Sequence, residues 1–379
     1  MNILNVLNYS PEFGGGVPKH LLALGKMCTE RGDKLSIAFP KERQWQKELL
    51  KNADVLIMPE ILNPLWSGYS KVIRNYCKKY SIDVIHIHFT FAQNLALALS
   101  LNPLNLPVIH HWHNPPVALN NFLTPENKLN GIMKRIVAGF VARFADNRVI
   151  NMHISMSKEI THLLLKHKWT NENKIRLIPN GVEFIPIEVT FKNKISDRPV
   201  IGTVANFRPQ KDHQTLIKAF KILIDKDVDC ELWLVGDGPT KSEIEKLTQD
   251  LGIQSNVRFW GTVLNPSDLY KQMDVFVLST HYEGHPLVAL EAMSYGLPIV
   301  ATKISSVPEV IEDDFNGLLF NPGDPVHLAK TLLKLLEDRK LFERISNTSF
   351  ETVKTLPSID DWARNVLDVY EQTLKKCNN

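Results

Sequence analysis

Two glutamates, Glu283 and Glu291, stand eight positions apart in the most distinctive stretch of the sequence, VFVLSTHYEGHPLVALEAMSYGLPIVAT, residues 275–302. Glu283 lies in a polar loop, and Glu291 lies about one turn into a predicted helix. Gly284 and Pro286 stand between them. Pro286 suits the first turn of a helix, because its missing N–H has no partner there anyway. Two carboxylates that flank a helix start can bracket an anion held by the helix amides.

The neighbouring residues place this stretch at the end of a parallel strand. Residues 275–278 predict a strand, Gly296 ends the helix, and residues 299–301 open the next strand. In an open parallel sheet, ligands bind beyond the carboxyl ends of the strands, where helix N-termini also point. The predicted anion-binding segment comprises Gly284, His285, Pro286, Leu287 and Val288. One glutamate alone would be interpreted as a surface carboxylate. Two glutamates at this spacing, with Gly284 and Pro286 between them, are a much more specific indication of a binding site than one glutamate is.

Further candidates follow two other predicted strands of the second half. Arg208 and Lys211 lie in the loop RPQKD, between the strand PVIGTVANF and a helix. Cations on such a loop are placed to meet a diphosphate, although loop cations are usually only solvated. Gly236 and Gly238 form the turn GDGP directly after the next strand.

A glycine-rich loop, PEFGGGVPKH, joins a strand over 3–7 to a helix over 17–31 near the N-terminus. Gly15 and Gly16 let a backbone approach a ligand without interference from a Cβ atom. The order of strand, glycine loop and helix is typical of phosphate-binding loops. The spacing matches neither G-x-G-x-x-G nor a Walker loop, and a tight connection is the simpler explanation of the glycines alone.

Histidines are concentrated in two predicted strands of the first half, as His86, His88, His110, His111 and His113. Strand alternation places His86 and His88 on one face, and His111 and His113 likewise share a face. Metal ligation is one interpretation of this pattern. Carboxylate partners are sparse nearby, and most such histidines are packed or hydrogen-bonded, so we expect no metal here.

These segments together resemble the retaining glycosyltransferases of the GT-B fold, glycosyltransferase family 4 (glycosyl transferases group 1). The resemblance runs from the GG loop to the turn NPGDP and is most specific around the paired glutamates. It implies that Glu283 faces the sugar of a nucleotide-sugar donor and that Glu291 holds the ribose hydroxyls. Lys211 matches the phosphate-binding lysine of the family. Many members carry an arginine where this chain has Asn206, and we expect Arg208 to supply that charge.

The resemblance assigns roles to other positions as well. Gly15 and Gly16 are expected to pass close to the donor diphosphate and the acceptor. His113, in the sequence WHN, matches the histidine that contacts the donor sugar. Gly236 and Gly238 correspond to the family's G-x-G-P turn near the nucleotide.

The implied fold class is α/β, a GT-B fold of two Rossmann-like domains that face each other across a cleft. A chain of 379 residues is long enough for two such domains. We expect an acceptor-binding domain over 1–185, a linker over 186–198 and a nucleotide-sugar-binding domain over 199–358. A C-terminal helix over 359–379 is expected to cross back to the first domain.

Charge is distributed unevenly along the chain. Residues 1–185 carry 22 Lys and Arg against 13 Asp and Glu, whereas the remaining residues carry 22 against 28. The basic first half indicates an anionic partner, either a membrane surface or an acidic substrate. Nucleic acid is not expected, since we find no binding motif. An amphipathic helix over 131–146 fits core packing and a membrane surface about equally.

The remaining bulk features bear on the compartment. The cysteines are scattered, with no C-x-x-C pair, which indicates reduced thiols in the cytosol. We find no signal peptide and no apolar run long enough to cross a membrane. We therefore expect a cytoplasmic protein, either free or peripheral on the inner face of the cytoplasmic membrane.

The resemblance predicts transfer of a hexosyl group from a UDP- or GDP-sugar to a glycan or polyprenyl-linked acceptor, in cell-surface polysaccharide synthesis. Retention at the anomeric carbon by a same-face route is favoured, because no nucleophilic carboxylate can be assigned beneath the sugar. Cations and amides would neutralise the leaving diphosphate, so no metal or other cofactor is expected. The main alternative is a sugar-nucleotide epimerase or hydrolase of the same fold. A phosphorylase and a non-catalytic nucleotide-binding module are less favoured.

Overall fold

The structure is a computed structural model that describes residues 1–7, 16–59, 67–88, 101–116, 143–144, 146–183 and 195–378. This part of the chain forms two compact units. The first comprises Met1–Gly181 with Ile359–Asn379, and the second comprises Val182–Ser358. Gly15, almost all of the predicted helix 131–146 and most of the predicted linker 186–198 lie outside the described residues.

The first unit is built on a parallel seven-stranded sheet of order β3-β2-β1-β4-β5-β6-β7. Its strands are β1 (Asn2–Leu7), β2 (Lys34–Phe39), β3 (Asp54–Ile57), β4 (Val84–His88), β5 (Val108–Trp112), β6 (Ile150–Ser155) and β7 (Ile175–Leu177). Its helices, within the described residues, include α1 (Gly16–Arg31), α2 (Gln46–Leu49), α3 (Ser67–Lys79) and α4 (Lys158–Lys166). Strands β4 and β5 are buried along their whole length, as parallel strands covered on both faces must be.

The second unit contains a parallel six-stranded sheet of order β10-β9-β8-β11-β12-β13. Its strands are β8 (Val200–Val204), β9 (Glu231–Val235), β10 (Val257–Gly261), β11 (Val275–Leu278), β12 (Ile299–Thr302) and β13 (Leu318–Phe320). Its helices include α5 (His213–Ile224), α6 (Lys241–Asp250), α7 (Ser267–Gln272), α8 (Leu287–Ser294), α9 (Pro325–Glu337) and α10 (Arg339–Lys354).

The C-terminal helix α11 (Ile359–Asn378) belongs to the first unit, as expected from the sequence. It packs against α1 and β6. Its buried face contributes Trp362, Val366 and Tyr370 to an apolar core shared with β1 and β5. The last segment of the chain is therefore needed to cover one face of the first sheet.

Side-chain caps fix the starts of several helices. The carboxylates of Asp212, Asp324 and Asp338 accept hydrogen bonds from backbone amides in the first turns of α5, α9 and α10. Such caps typically contribute about 1 kcal/mol each. Asp212 also has a left-handed backbone, with φ of 39°, so it both turns the chain and caps α5.

The elements of residues 275–302 follow the prediction closely. The strand ends at Leu278, the helix ends at Ser294, and Gly296 has φ of 71°, which is the usual left-handed helix stop. One detail differs, because Pro286 lies one residue before α8 with a non-helical ψ of 78°. Strand β3 was not predicted, since it has only four residues and carries no alternating pattern.

Candidate active site

The candidate site of the second unit lies where the strand order reverses direction. The chain runs from β8 outward through β9 and β10, and then returns to pair β11 with the other side of β8. The carboxyl ends of β8 and β11 are therefore adjacent, and each continues into a loop that leads to a helix. This topological switch point is the usual ligand-binding position of an open parallel sheet.

An ion pair joins the two loops at this point. Lys211, after β8, places its Nζ 2.5 Å from Oε1 of Glu283, after β11. The side chains are only 18% and 9% exposed, so solvent screens the pair less than it screens a surface pair. The structure thus brings together two residues that the sequence predicts as parts of one site and that are 72 positions apart.

Hydrogen bonds through Gln210 hold the same two loops together. The Gln210 side chain donates to the Tyr282 carbonyl at 2.8 Å, and its own carbonyl accepts from the His281 amide at 2.8 Å. The Thr280 hydroxyl donates to the same Gln210 carbonyl at 3.1 Å. Gln210 was not among the predicted site residues, because a glutamine between two loop cations has no distinguishing pattern.

Arg208 is exposed on the β8 loop and acts electrostatically on Tyr282. Burial and the Glu283 carboxylate raise the pKa of Tyr282, and Arg208 lowers it. Arg208 is thus close enough to influence the residue beside Glu283, which is consistent with the predicted cationic character of this loop.

Gly236 and Gly238 allow the β9 turn to pack against the β8 loop. A Cβ at Gly236 would clash with the Ala205 carbonyl, and a Cβ at Gly238 would clash with the Phe207 carbonyl. The amide of Phe207 donates to the carbonyl of Asp237 at 3.0 Å across the same contact. Both glycines thus shape the loop that carries the two cations.

Glu291 lies on α8 and is held by a buried tyrosine. The hydroxyl of Tyr270 donates to Glu291 Oε2 at 3.2 Å. Burial, and then the Glu291 carboxylate, raises the pKa of Tyr270 well above its ordinary value, so the hydroxyl remains a donor. Tyr270 also stacks on Tyr295, with ring centroids 5.3 Å apart. Sequence reasoning missed Tyr270, because it lies on a different helix and no local motif connects it with Glu291.

In the segment between Glu283 and α8, some backbone groups already form hydrogen bonds within the segment or with α8. The Leu287 amide donates to the His285 carbonyl at 2.9 Å, and the Pro286 carbonyl accepts from the first turn of α8. The Leu287 amide is therefore engaged within the loop. The Glu283 carbonyl accepts from the Ser306 hydroxyl at 3.1 Å, which fixes the start of this segment.

In the first unit, His113 directly follows β5 and its Nε2 lies 3.0 Å from Nδ1 of His88. Burial lowers the pKa of His113 to about 3, and the nearby His20 adds to this effect. The imidazole is therefore neutral at physiological pH and can donate or accept a hydrogen bond without carrying charge.

His20 fixes the start of α1 and was not predicted as a site residue. Its Nδ1–H donates to the Gly16 carbonyl at 2.6 Å, and its Nε2 accepts from the Gly181 amide at 3.1 Å. Burial lowers the pKa of His20 to about 4, which keeps this neutral tautomer in place. Gly16 is thereby held to the segment IPNGVE, and its neighbour Gly15 lies outside the described residues.

Two known families match this chain. The family described as Glycosyl transferases group 1 matches residues 187–352, and the family described as Glycosyltransferase Family 4 matches residues 14–184. The chain belongs to the group 1 glycosyltransferases of the family 4 type, and its two Rossmann-like units are those of the GT-B fold. The resemblance inferred from the sequence is confirmed at this level.

Two distant relatives match over most of the chain. An uncharacterized glycosyltransferase of Methanocaldococcus jannaschii is 24% identical, over 96% of this chain and 96% of its own. N-acetyl-alpha-D-glucosaminyl L-malate synthase of Bacillus anthracis is 26% identical, over 73% of this chain and 71% of its own. The structure of HepE from Anabaena in complex with UDP and glucose has a TM-score of 0.78 at 19% identity, covering 98% of this chain and 100% of that one.

The described helices also bear on membrane insertion. Within the described ranges, no helix has the length and apolar character that crossing a bilayer requires.

Proposed function

We propose that this glycosyltransferase moves a hexosyl group from a nucleoside diphosphate sugar to a glycan or lipid-linked acceptor, with retention at the anomeric carbon. The observation that carries the proposal is the Lys211–Glu283 pair at the switch point of the second sheet. UDP and GDP are the candidate nucleotides. UDP is the first to test, because HepE was solved in complex with UDP-glucose.

The ion pair supports a specific mode of donor binding. A diphosphate carries more negative charge than one carboxylate, so it competes for the ammonium group of Lys211. The displaced Glu283 carboxylate then becomes available to accept hydrogen bonds from sugar hydroxyls. We assign Arg208 to the same diphosphate, and we assign Glu291, which Tyr270 orients, to the ribose hydroxyls.

Other donor contacts are assigned on the family resemblance together with position. In the second unit, we assign the following residues to donor binding: Gly236, Gly238, Gly284, His285, Pro286, Leu287 and Val288. In the first unit, we assign His113 to the donor sugar as a neutral hydrogen-bonding imidazole. Gly15 and Gly16 are assigned to the diphosphate and the acceptor.

The proposed chemistry is a same-face substitution. The bond between the anomeric carbon and the β-phosphate oxygen breaks, and the acceptor oxygen bonds to the anomeric carbon from the side that the phosphate leaves. The acceptor hydroxyl gives its proton to the departing phosphate oxygen. Lys211 and Arg208 stabilise the charge that develops on the diphosphate. Such electrostatic stabilisation is usually the largest single contribution to catalysis.

One experiment tests donor, acceptor and stereochemistry together. UDP- and GDP-sugars are first screened for thermal stabilisation of the protein, since a ligand that binds only the folded state raises its stability. Stabilising donors are then incubated with candidate acceptors, and the anomeric configuration of the product is read by NMR. An inverted product contradicts retention. Released or epimerised sugar nucleotide without a glycosylated acceptor favours the hydrolase or epimerase alternative.

We further propose that the acceptor is presented at an anionic membrane surface, on the inner face of the cytoplasmic membrane. The excess of Lys and Arg in residues 1–185 supports this, because juxtamembrane basic residues attract anionic lipids. Replacing Lys134, Arg135 and Arg143 by Gln should reduce sedimentation with anionic vesicles and leave binding to neutral vesicles unchanged. Equal sedimentation of variant and wild type with anionic vesicles would indicate that the segment 131–146 packs in the protein core and does not bind the membrane.

A further inference from the structure

Three histidines meet in the core of the first unit, on the face of the sheet covered by α1 and α11. His86 and His88 are two positions apart on β4, and His111 on β5 pairs directly with His88. All three are at most 2% exposed. One ring nitrogen from each lies within 4.8 Å of the others. No other such group of three metal-binding side chains occurs in the described ranges.

Two of the three rings have their Nδ1 atoms hydrogen-bonded on the outer side of the group. His86 Nδ1 lies 2.6 Å from the Tyr370 hydroxyl, and that hydroxyl donates its proton to Asn5 Oδ1 at 3.2 Å. Because the tyrosine proton is used there, His86 Nδ1 must be the donor, which leaves a lone pair on Nε2. His88 Nδ1 is likewise engaged with His113 at 3.0 Å.

His111 is the least satisfied of the group. Among the described residues, neither of its ring nitrogens has a hydrogen-bond partner, and the same holds for Nε2 of His86. A buried polar atom without a partner costs about 1–3 kcal/mol, so leucine would fill this buried position at lower free energy. Imidazoles at these positions are therefore expected to use their lone pairs on a ligand.

We propose that His86, His88 and His111 bind one transition-metal ion of borderline softness, with zinc as the reference case. Neutral imidazole nitrogens suit zinc, copper, nickel and iron, whereas magnesium and calcium prefer oxygen ligands. Zinc–nitrogen bonds of about 2.0–2.1 Å require the donor atoms to approach to about 3.4 Å, which small rotations of the three rings can supply. The Tyr370 contact has the usual form of an outer-shell hydrogen bond that orients a ligating histidine.

The ligand set leaves a fourth tetrahedral position for water or an anionic group. The Lys211–Glu283 pair belongs to the other unit, whereas His88 contacts His113, which we assign to the donor sugar. The metal proposal rests on the three histidines themselves and does not depend on the proposed transfer reaction.

The test uses untagged full-length protein, because a polyhistidine tag would bind the same ions. After removal of bound metal, the protein is titrated with Co²⁺, whose visible absorption reports nitrogen coordination, and Zn²⁺ is then added as competitor. We expect one equivalent of Co²⁺ to bind and to be displaced by Zn²⁺. Wild-type protein that binds no stoichiometric Co²⁺ or Zn²⁺ would overturn the proposal.

Three variants locate the site. His111→Leu should weaken binding at least about 100-fold, and Tyr370→Phe, which keeps the ring, should weaken it about 10-fold through loss of the outer hydrogen bond. The matched control is His110→Leu, since His110 is the adjacent buried histidine on the opposite face of β5. Equal losses in the His110 and His111 variants, or undiminished binding in Tyr370→Phe, would contradict this ligand set.

Thermal unfolding gives a second readout that a merely structural role would not produce. Metal-free His111→Leu should unfold at or above the temperature of metal-free wild type, because two unsatisfied nitrogens are removed. Added Zn²⁺ should raise the unfolding temperature of wild type only. A metal-free His111→Leu protein that is clearly less stable than metal-free wild type would show that the imidazole serves packing, and the proposal would fail.

Discussion

The ammonium group of Lys211 and the carboxylate of Glu283 face each other at 2.5 Å, at the carboxyl ends of two adjacent parallel strands. The two residues lie on separate loops, and each charged group holds the other in a partly buried position. On our proposal the donor diphosphate competes with this carboxylate for the ammonium group of Lys211. Donor binding on this proposal exchanges one anion for another, and the carboxylate is freed at the sugar.

Replacing Lys211 by Ala should lower kcat by about 100- to 1,000-fold, because a cation that stabilises the leaving diphosphate is lost. The matched control is Lys218→Ala, an exposed lysine on α5, which should keep activity within a factor of two or so. Both variants are measured for kcat at saturating donor and for their urea midpoint. Near-normal turnover by a folded Lys211→Ala protein would sink the assignment.

A double variant, Lys211→Ala with Glu283→Gln, distinguishes the effect of this ion pair on stability from its effect on activity. Glu283→Gln alone leaves Lys211 without its charge partner, which should cost about 1–3 kcal/mol of stability. Adding Lys211→Ala removes the uncompensated charge, so the double variant should regain part of that stability and none of the activity. Additive stability losses, measured by urea unfolding, would show that the two groups are not coupled.

The sequence predicted the strands and loops of this site because they depend on local patterns. Apolar runs ending at Leu278 and Val235, and the stop at Gly296, are visible without tertiary information. The partnership of Tyr270 with Glu291 was not predictable, because it depends on how α7 packs beside α8. Strand alternation placed His86 and His88 on one face, but only the β4–β5 register brings His111 against them.

Removing the Tyr270 hydroxyl tests the proposed role of Glu291. Tyr270→Phe should raise KM for the donor about 10-fold with little change in kcat, since a hydrogen bond to a charged group is worth about 1.5 kcal/mol at the lower end of its range. Tyr295→Phe is the control, because it removes a hydroxyl from the neighbouring stacked ring. The proposal predicts that only the first variant loses affinity for the free nucleoside diphosphate. Equal affinities by calorimetry would contradict it.

Transfer should not require added magnesium or manganese. The proposed charge stabilisation uses Lys211, Arg208 and backbone amides, which can replace a divalent cation at the diphosphate. Bound divalent cations are first removed from the protein. Rates measured with and without added Mg²⁺ or Mn²⁺ should then agree. The imidazole group of the first unit does not alter this expectation, since hard cations prefer oxygen ligands. A strict requirement for either ion would refute the metal-free route.

Acid should destabilise the second unit through His213. This histidine starts α5, is 3% exposed and stacks on Phe207 with centroids 4.2 Å apart. Burial, assisted by Lys211, lowers its pKa from 6.5 to about 4. The unfolded chain therefore binds more protons between these values, so the contribution to stability is present above pH 6.5 and is lost as pH falls toward 4.

His213→Leu should remove this pH dependence. From pH 7 to pH 5, wild type should lose about 2 kcal/mol of unfolding free energy through this group, and the variant should not show that part of the loss. Urea unfolding at the two pH values measures the difference, with the exposed His162→Leu as control. Because the prediction concerns the change between two pH values, any constant effect of leucine on packing cancels. A variant whose stability falls as steeply as wild type would show that His213 is protonated without cost in the folded protein.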